Sequence, residues 1–184
     1  MNILVIISII WVSSEILLSK FMRSDSHKAH DRFSLSVLWI TISISVTIGI
    51  ILRRMNFVFS DQYTILIYNI GLGFICLGLL IRWLAIVKLK KSFTVNVSIP
   101  DAQRIIQTGI YKYIRHPAYL GSLFSFLGLG FVFNNWITFI VIFIPIFFSF
   151  LYRIYVEEEL LTQVFGKEYT DYINRSWRLI PCIY

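Results

Sequence analysis

Charge is what this 184-residue chain has least of. Only 15% of its residues are Asp, Glu, Lys or Arg and 57% are hydrophobic, where a soluble domain carries about 25% charged and about 45–50% apolar residues. Mean hydropathy is accordingly positive, at +0.73. That shortage excludes an ordinary soluble domain and indicates a membrane protein. Acids are scarcer than bases, 10 against 17, for a net charge of +7. The excess does not indicate nucleic acid, because such a reader carries a basic face on a soluble fold, whereas here the cations cluster between apolar runs. There are two cysteines, Cys76 inside an apolar run and Cys182 near the C-terminus. Their spacing fits neither a metal site nor a redox pair, and it excludes a disulfide framework. G-x-G-x-x-G, P-loop, H-E-x-x-H and G-x-S-x-G patterns are missing, so a cofactor would not sit on a soluble Rossmann domain. Of the three histidines, His27 and His30 stand at i, i+3 without a further ligand pattern, which argues against a metal site. The N-terminus lacks a basic n-region and an A-x-A-like cleavage site, so it reads as a retained span rather than a leader.

What the chain does have is long apolar runs. A helix needs roughly 20 such residues to cross the hydrocarbon. Five stretches qualify: residues 2–19, 34–52, 63–87, 117–133 and 135–152. In the third, Gly71, Gly73 and Gly78 suit close helix packing. From Pro117 to Tyr152 there is no charged residue. As one helix those roughly 36 residues would extend about 54 Å, far beyond the roughly 30 Å core. "FNNW", Phe133–Trp136, breaks the run, so it reads as a helical hairpin of two slightly short spans. The expectation is an all-α polytopic membrane protein forming one domain over 1–184. It has about five transmembrane helices, with 88–116 and 153–184 as a polar loop and tail. The tail includes an amphipathic helix in which Leu160, Leu161, Val164 and Phe165 recur at helical spacing, ended by Gly166.

Lysine and arginine set the orientation. They fill the loop after the first span, the loop after the third, and the tail, while the opposite side holds only Arg53 and Arg54. The positive-inside bias then puts the N-terminus outside and the C-terminus in the cytoplasm, which in a bacterium means the inner membrane. Glu15 is an ionisable group inside an apolar span and so a functional candidate by default. It lies about one turn from the predicted cytoplasmic end, where it could also simply reach the interface.

Two stretches on that cytoplasmic side could carry chemistry. The first is "GIYKYIRHPAYLG", Gly109–Gly121. Pro117 fits the first turn of a helix, where no N–H donor is needed. That places Arg115 and His116 at the mouth of the fourth span, where free backbone N–H groups favour an anion such as a carboxylate. Arg115 adds a donor fork, and His116 can donate, accept or shuttle a proton. Tyr111, Tyr113 and Tyr119 offer flat faces for a base or a cation. Taken singly, each residue also suits an interfacial anchor. The second stretch is "YRIYVEEELL", Tyr152–Leu161. Arg153 and Glu157 stand at i, i+4 and can pair, while Glu158 and Glu159 read as solvated. An acid here could equally bind a ribose or ammonium group, and Arg153 could hold an anionic head group.

Together, G-x-Y-x-x-x-R-H-P-x-Y-x-G and R-x-x-x-E-E-x-x-L…F-G-x-E-Y-x-x-Y resemble the isoprenylcysteine carboxyl methyltransferase family, in the style of its small bacterial members, over roughly residues 82–181, and the N-terminal "SSEILL" and "DRFSLS" resemble the bacterial branch more weakly. The resemblance implies an integral-membrane methyltransferase using S-adenosyl-L-methionine, with a lipophilic or prenylated acceptor and its pocket open to the cytosol. Tyr111, the segment His116, Pro117, Ala118 and Tyr119, and Glu157 would line the cofactor pocket. So would Gln103, Arg104, Ile105 and Ile106, although Gln103 and "LKKSF" depart from the family pattern. Arg153 would face the substrate carboxylate. An ionised carboxylate acceptor needs no strong base; an amine or phenol would, with His116 or Glu158 as candidates. Two other readings stand beside this one. "RLIPCIY" is also similar to the C-terminus of NADPH-dependent sterol reductases, and a non-catalytic lipid-binding protein would share the composition.

Overall fold

The computed structural model describes Trp11, Ser13 and residues 32–55, 57–89 and 105–181. Apart from Trp11 and Ser13, the first predicted span lies outside the described residues. So do Glu15, His27, His30, the loop from 90 to 104 with Gln103 and Arg104, and Cys182. The described regular structure is helical: α1 (Arg32–Leu52), α2 (Thr64–Leu89), a single 3₁₀ turn (Gly109–Lys112), α3 (Pro117–Val132), α4 (Trp136–Phe165) and α5 (Lys167–Ile173). Three of them, α1 from Phe33, α2 and α4, are long and apolar enough to cross a membrane. The α3 helix, the fourth predicted span, has 16 residues, or about 24 Å, less than the full hydrocarbon thickness.

The hairpin forms where "FNNW" predicts it. Asn134 adopts φ 46°, a left-handed conformation that Asn tolerates better than most residues. Asn135 caps α4, its Oδ1 accepting from the Thr138 N–H at 2.9 Å. The amide of Asn135 also donates to the Met55 carbonyl at 2.7 Å, and that of Asn134 to Thr64 Oγ1 at 3.0 Å. The two asparagines thus tie the hairpin to the α1–α2 connection as well as turning the chain.

The helix of the fifth predicted span does not stop at residue 152. α4 runs unbroken for 30 residues to Phe165, because nothing between Tyr152 and Phe165 breaks a helix. Its buried side continues through Phe150, Ile154 and Leu160. What was read as a separate amphipathic helix in the tail is therefore the end of this one. Gly166, at φ 55°, closes it as expected. At 1.5 Å per residue α4 is about 45 Å long, and Arg153 and the glutamates lie beyond its uncharged stretch.

The helices pack in the order α2, α3, α4, α1. α2 and α3 run antiparallel in backbone contact. A Cβ on Gly78 would sit 2.6 Å from the Ser125 nitrogen, and one on Gly121 2.6 Å from the Gly78 carbonyl oxygen. Two helical turns away Gly71 and Gly128 repeat the contact, at 2.7 Å from a Gly71 Cβ to the Gly128 oxygen. Gly73, grouped with them from sequence, faces open space. α4 meets α1 and α3 through side chains, with Leu38, Leu123, Phe126, Ile142, Ile146 and Phe150 at the centre, and the Trp11 ring lies 5.0 Å from Phe126.

Candidate functional site

Pro117 begins α3 as its first-turn residue, so the chain enters the helix through Arg115 and His116. Both are buried, at 9% and 5% exposure. Opposite them, the last turns of α4 present Glu157 and Glu158. Glu158 is not solvated. It is 5% exposed, and a carboxylate so placed needs partners to remain charged. Arg115 Nε donates to its Oε1 at 2.8 Å and Arg178 Nε to its Oε2 at 2.7 Å. His116 Nε2 lies 3.2 Å from Oε1, within reach as donor in the tautomer that carries hydrogen there.

The tail is clasped to the same point. Arg115 N–H donates to the Trp177 carbonyl at 2.7 Å, His116 N–H to that of Arg178 at 3.1 Å, and Trp177 N–H to that of Tyr113 at 2.8 Å. Arg115 Nη1 also donates to the Ser176 and Ile173 carbonyls. The backbone N–H groups of Arg115 and His116, just ahead of α3, are therefore taken by the tail. Tyr172 completes the clasp, its hydroxyl donating to the Tyr111 carbonyl at 2.5 Å.

A second cluster lies beside the first. Tyr119 stacks on His116, with ring centroids 5.6 Å apart and planes 9° from parallel. Its hydroxyl donates to Glu157 Oε2 at 2.7 Å and accepts from Arg153 Nε at 3.1 Å. Arg153 and Glu157, predicted to pair as i, i+4 neighbours, are thus joined through a tyrosine of the facing helix. Arg153 is 2% exposed, and its Nη1 donates to Ser34 Oγ on α1 at 3.0 Å. The Glu157 side chain keeps 29% exposure and lies 3.9 Å from His116 Nδ1. Burial, reinforced by the negative field of Glu157, raises the Tyr111 hydroxyl well above the usual phenol range. Burial does the same to Tyr169, with Glu158 and Glu157 adding to the shift. The Tyr169 side chain is 2% exposed, and its hydroxyl has no hydrogen-bond partner among the described residues.

The model of the family described as isoprenylcysteine carboxyl methyltransferase matches residues 71–163, just over half of the chain. The protein belongs to that family. Protein-S-isoprenylcysteine O-methyltransferase B of Arabidopsis thaliana is 33% identical over 119 residues, covering 64% of this chain and 60% of the relative. The Schizosaccharomyces pombe protein-S-isoprenylcysteine O-methyltransferase is 33% identical over 131 residues, covering 70% and 53%. A solved structure of the eukaryotic intramembrane Ras methyltransferase of this family superposes with a TM-score of 0.57 at 24% identity, covering 86% of this chain and 54% of the other. The fold is therefore shared, and the protein is an integral membrane protein; it spans little more than half the length of these relatives.

Of the residues that the family resemblance implicates, the structure brings His116, Pro117, Ala118, Tyr119, Arg153 and Glu157 together where α3 begins and α4 ends. Ile106, Tyr111 and Ala118 share a small apolar cluster with Ala85 and Ile86. Ile105 is half-buried next in the chain to Ile106. Sequence reasoning missed Ser34 as the partner of Arg153, Arg178 as a partner of Glu158, and Arg82, whose Nη1 donates to Ser122 Oγ at 2.7 Å and to the Ala118 carbonyl at 3.3 Å. Tyr169 was visible only as a letter of the F-G-x-E-Y-x-x-Y pattern. The site offers a partly open carboxylate, a buried guanidinium one hydroxyl away, and aromatic faces between them.

Proposed function

We propose that this protein transfers a methyl group from S-adenosylmethionine to the carboxylate of a lipophilic acceptor, an isoprenylated cysteine or a related lipid, at the cytoplasmic rim of a bacterial inner membrane. The observation that carries this reading is the Tyr119 hydroxyl. It bonds to both Glu157 and Arg153, so a group suited to the cofactor and a group suited to an anionic acceptor are one atom apart. Membership in a methyltransferase family supports it over the NADPH-dependent reductase.

The residues present fit the cofactor. Glu157 is a carboxylate with exposed surface left for an ammonium or ribose hydroxyl. The Tyr169 hydroxyl, buried and without a partner among the described residues, is a group suited to a polar ligand. Tyr111, Ile105, Ile106 and the segment His116–Tyr119 would complete the pocket, with Gln103 and Arg104 contributing from outside the described residues. Bound there, S-adenosylmethionine supplies a methyl group on a sulfonium, a leaving group already activated. The protein's part is then to position the two partners and exclude water. Arg153, fixed at two points, neutralises and orients the acceptor carboxylate. Because that carboxylate is already ionised, no residue has to remove a proton, and His116 serves as a stacking and hydrogen-bonding partner.

Calorimetric titration with S-adenosylhomocysteine, run beside a turnover assay, tests the assignment. Glu157→Ala weakens binding about ten- to a hundredfold, the range for a lost hydrogen bond to a charged group. Arg153→Ala leaves that binding intact and lowers turnover. Two variants that bind and turn over like the wild type would overturn it.

A further inference from the structure

Ser34 is a polar residue in an unexpected place. It stands in the first turn of α1, 0% exposed, one of several serines and threonines along that helix. A buried hydroxyl is costly unless it is bonded. Its Oγ accepts from Arg153 Nη1 at 3.0 Å across a separation of 119 residues, and it lies outside residues 71–163 that the family model matches.

Among the described residues the guanidinium is thereby held at two points from two different helices, by Ser34 on α1 and by Tyr119 on α3. An arginine has about 2 kcal/mol of rotamer entropy to lose, and one anchor would leave its plane free to swing about that contact. Two anchors set both the position and the tilt of the plane. The contacts continue as one chain from Ser34 through Arg153 and Tyr119 to Glu157, crossing α1, α4 and α3. Only its first link comes from outside the matched segment.

We infer that Ser34 is a positioning residue for acceptor recognition: α1 uses it to aim the Arg153 guanidinium at the acceptor carboxylate. The inference rests on the proposed reading of Arg153. It assigns to α1 a share of acceptor selection that the matched family segment does not contain. Removing the hydroxyl takes away the α1 anchor and weakens the hold on the acceptor, while the cofactor side, anchored at Glu157, is untouched.

The test measures four forms of the full-length protein in detergent: wild type, Ser34→Ala, Ser34→Thr and Arg153→Ala. An S-prenylated N-acetylcysteine serves as acceptor, and S-adenosylhomocysteine is titrated in the same preparations. Ser34→Ala is expected to raise the acceptor KM about five- to tenfold, less than the about ten- to a hundredfold of a hydrogen bond to a charged group lost outright, because Tyr119 still anchors the guanidinium. Its kcat stays within about twofold and its affinity for S-adenosylhomocysteine is unchanged. Ser34→Thr, which keeps the hydroxyl, restores the KM. A merely structural role would instead move the S-adenosylhomocysteine affinity and the melting temperature together. An Arg153→Ala defect alongside a Ser34→Ala protein that behaves as wild type would overturn the inference alone. Wild-type Arg153→Ala kinetics, or no turnover by the wild type of this acceptor or of any carboxylate in a membrane-lipid extract, would overturn the reading beneath it.

Discussion

Replacing Tyr169 by phenylalanine removes a single oxygen, and two measurable quantities should move in opposite directions. In the ligand-free protein the hydroxyl is buried and has no partner among the described residues. A polar group left in that state costs about 1–3 kcal/mol, so Tyr169→Phe should stabilise the ligand-free protein by an amount in that range. On the proposed function, a cofactor in the pocket would give the same hydroxyl a partner. Its removal then forfeits about 0.5–1.5 kcal/mol, or roughly a two- to tenfold loss of affinity at 1.4 kcal/mol per decade. The pair of assays is thermal unfolding of purified protein in detergent, without ligand, and calorimetric titration with S-adenosylhomocysteine. A higher melting temperature with weaker binding supports the argument. A lower melting temperature with unchanged binding would refute it, because the hydroxyl would then be satisfied inside the protein and irrelevant to the ligand.

The glycine contacts give a paired prediction. Gly78→Ala places a methyl group 2.6 Å from the Ser125 nitrogen and should cost at least about 1–3 kcal/mol as overpacking. Gly73→Ala meets nothing within 4 Å and should gain up to about 1 kcal/mol from helix propensity; equal melting temperatures for the two variants would contradict the packing described. Alkaline pH gives another test. Burial pushes the Tyr172 hydroxyl up from 10.0 to about 12, against the opposing field of Arg115. The folded form therefore keeps its proton longer than the unfolded chain does. Its contribution to stability is complete below about pH 10 and is lost as pH rises from there toward the folded value. The phenolate absorbance difference between wild type and Tyr172→Phe should appear near pH 12, and a difference centred near pH 10 would count against the burial argument.

Local signals were the legible ones. Pro117 announced the start of α3, the paired asparagines the hairpin, and Gly166 the end of α4, because each acts on its own backbone. The motif residues His116, Tyr119, Arg153 and Glu157 were legible as a set, and the structure brings them within bonding distance of one another or of a shared partner. What sequence could not show was partnership at long range. "EEE" reads as three similar acids, yet Glu158 is buried by Arg115 and Arg178 while Glu159 is exposed. The difference comes from which face of α4 the tail closes over. Arg153 looked like the residue at which a span ends. It is instead interior, because Ser34 and Tyr119 supply the bonds that water would otherwise provide. Gly71, Gly73 and Gly78 look equivalent in one dimension; only the facing Gly121 and Gly128 separate the two that touch from the one that does not.

That main-chain contact between α2 and α3 also governs how the bundle can give. Neither helix can roll or slide without driving a carbonyl into its neighbour, so the two behave mechanically as one plank. The seams on either side of α4 are filled by flexible side chains and are the ones left to widen. If the proposed function holds, a greasy acceptor tail arriving sideways from the lipid would find its opening along α4, the helix that carries Arg153 and Glu157, and its passage would be felt directly at both.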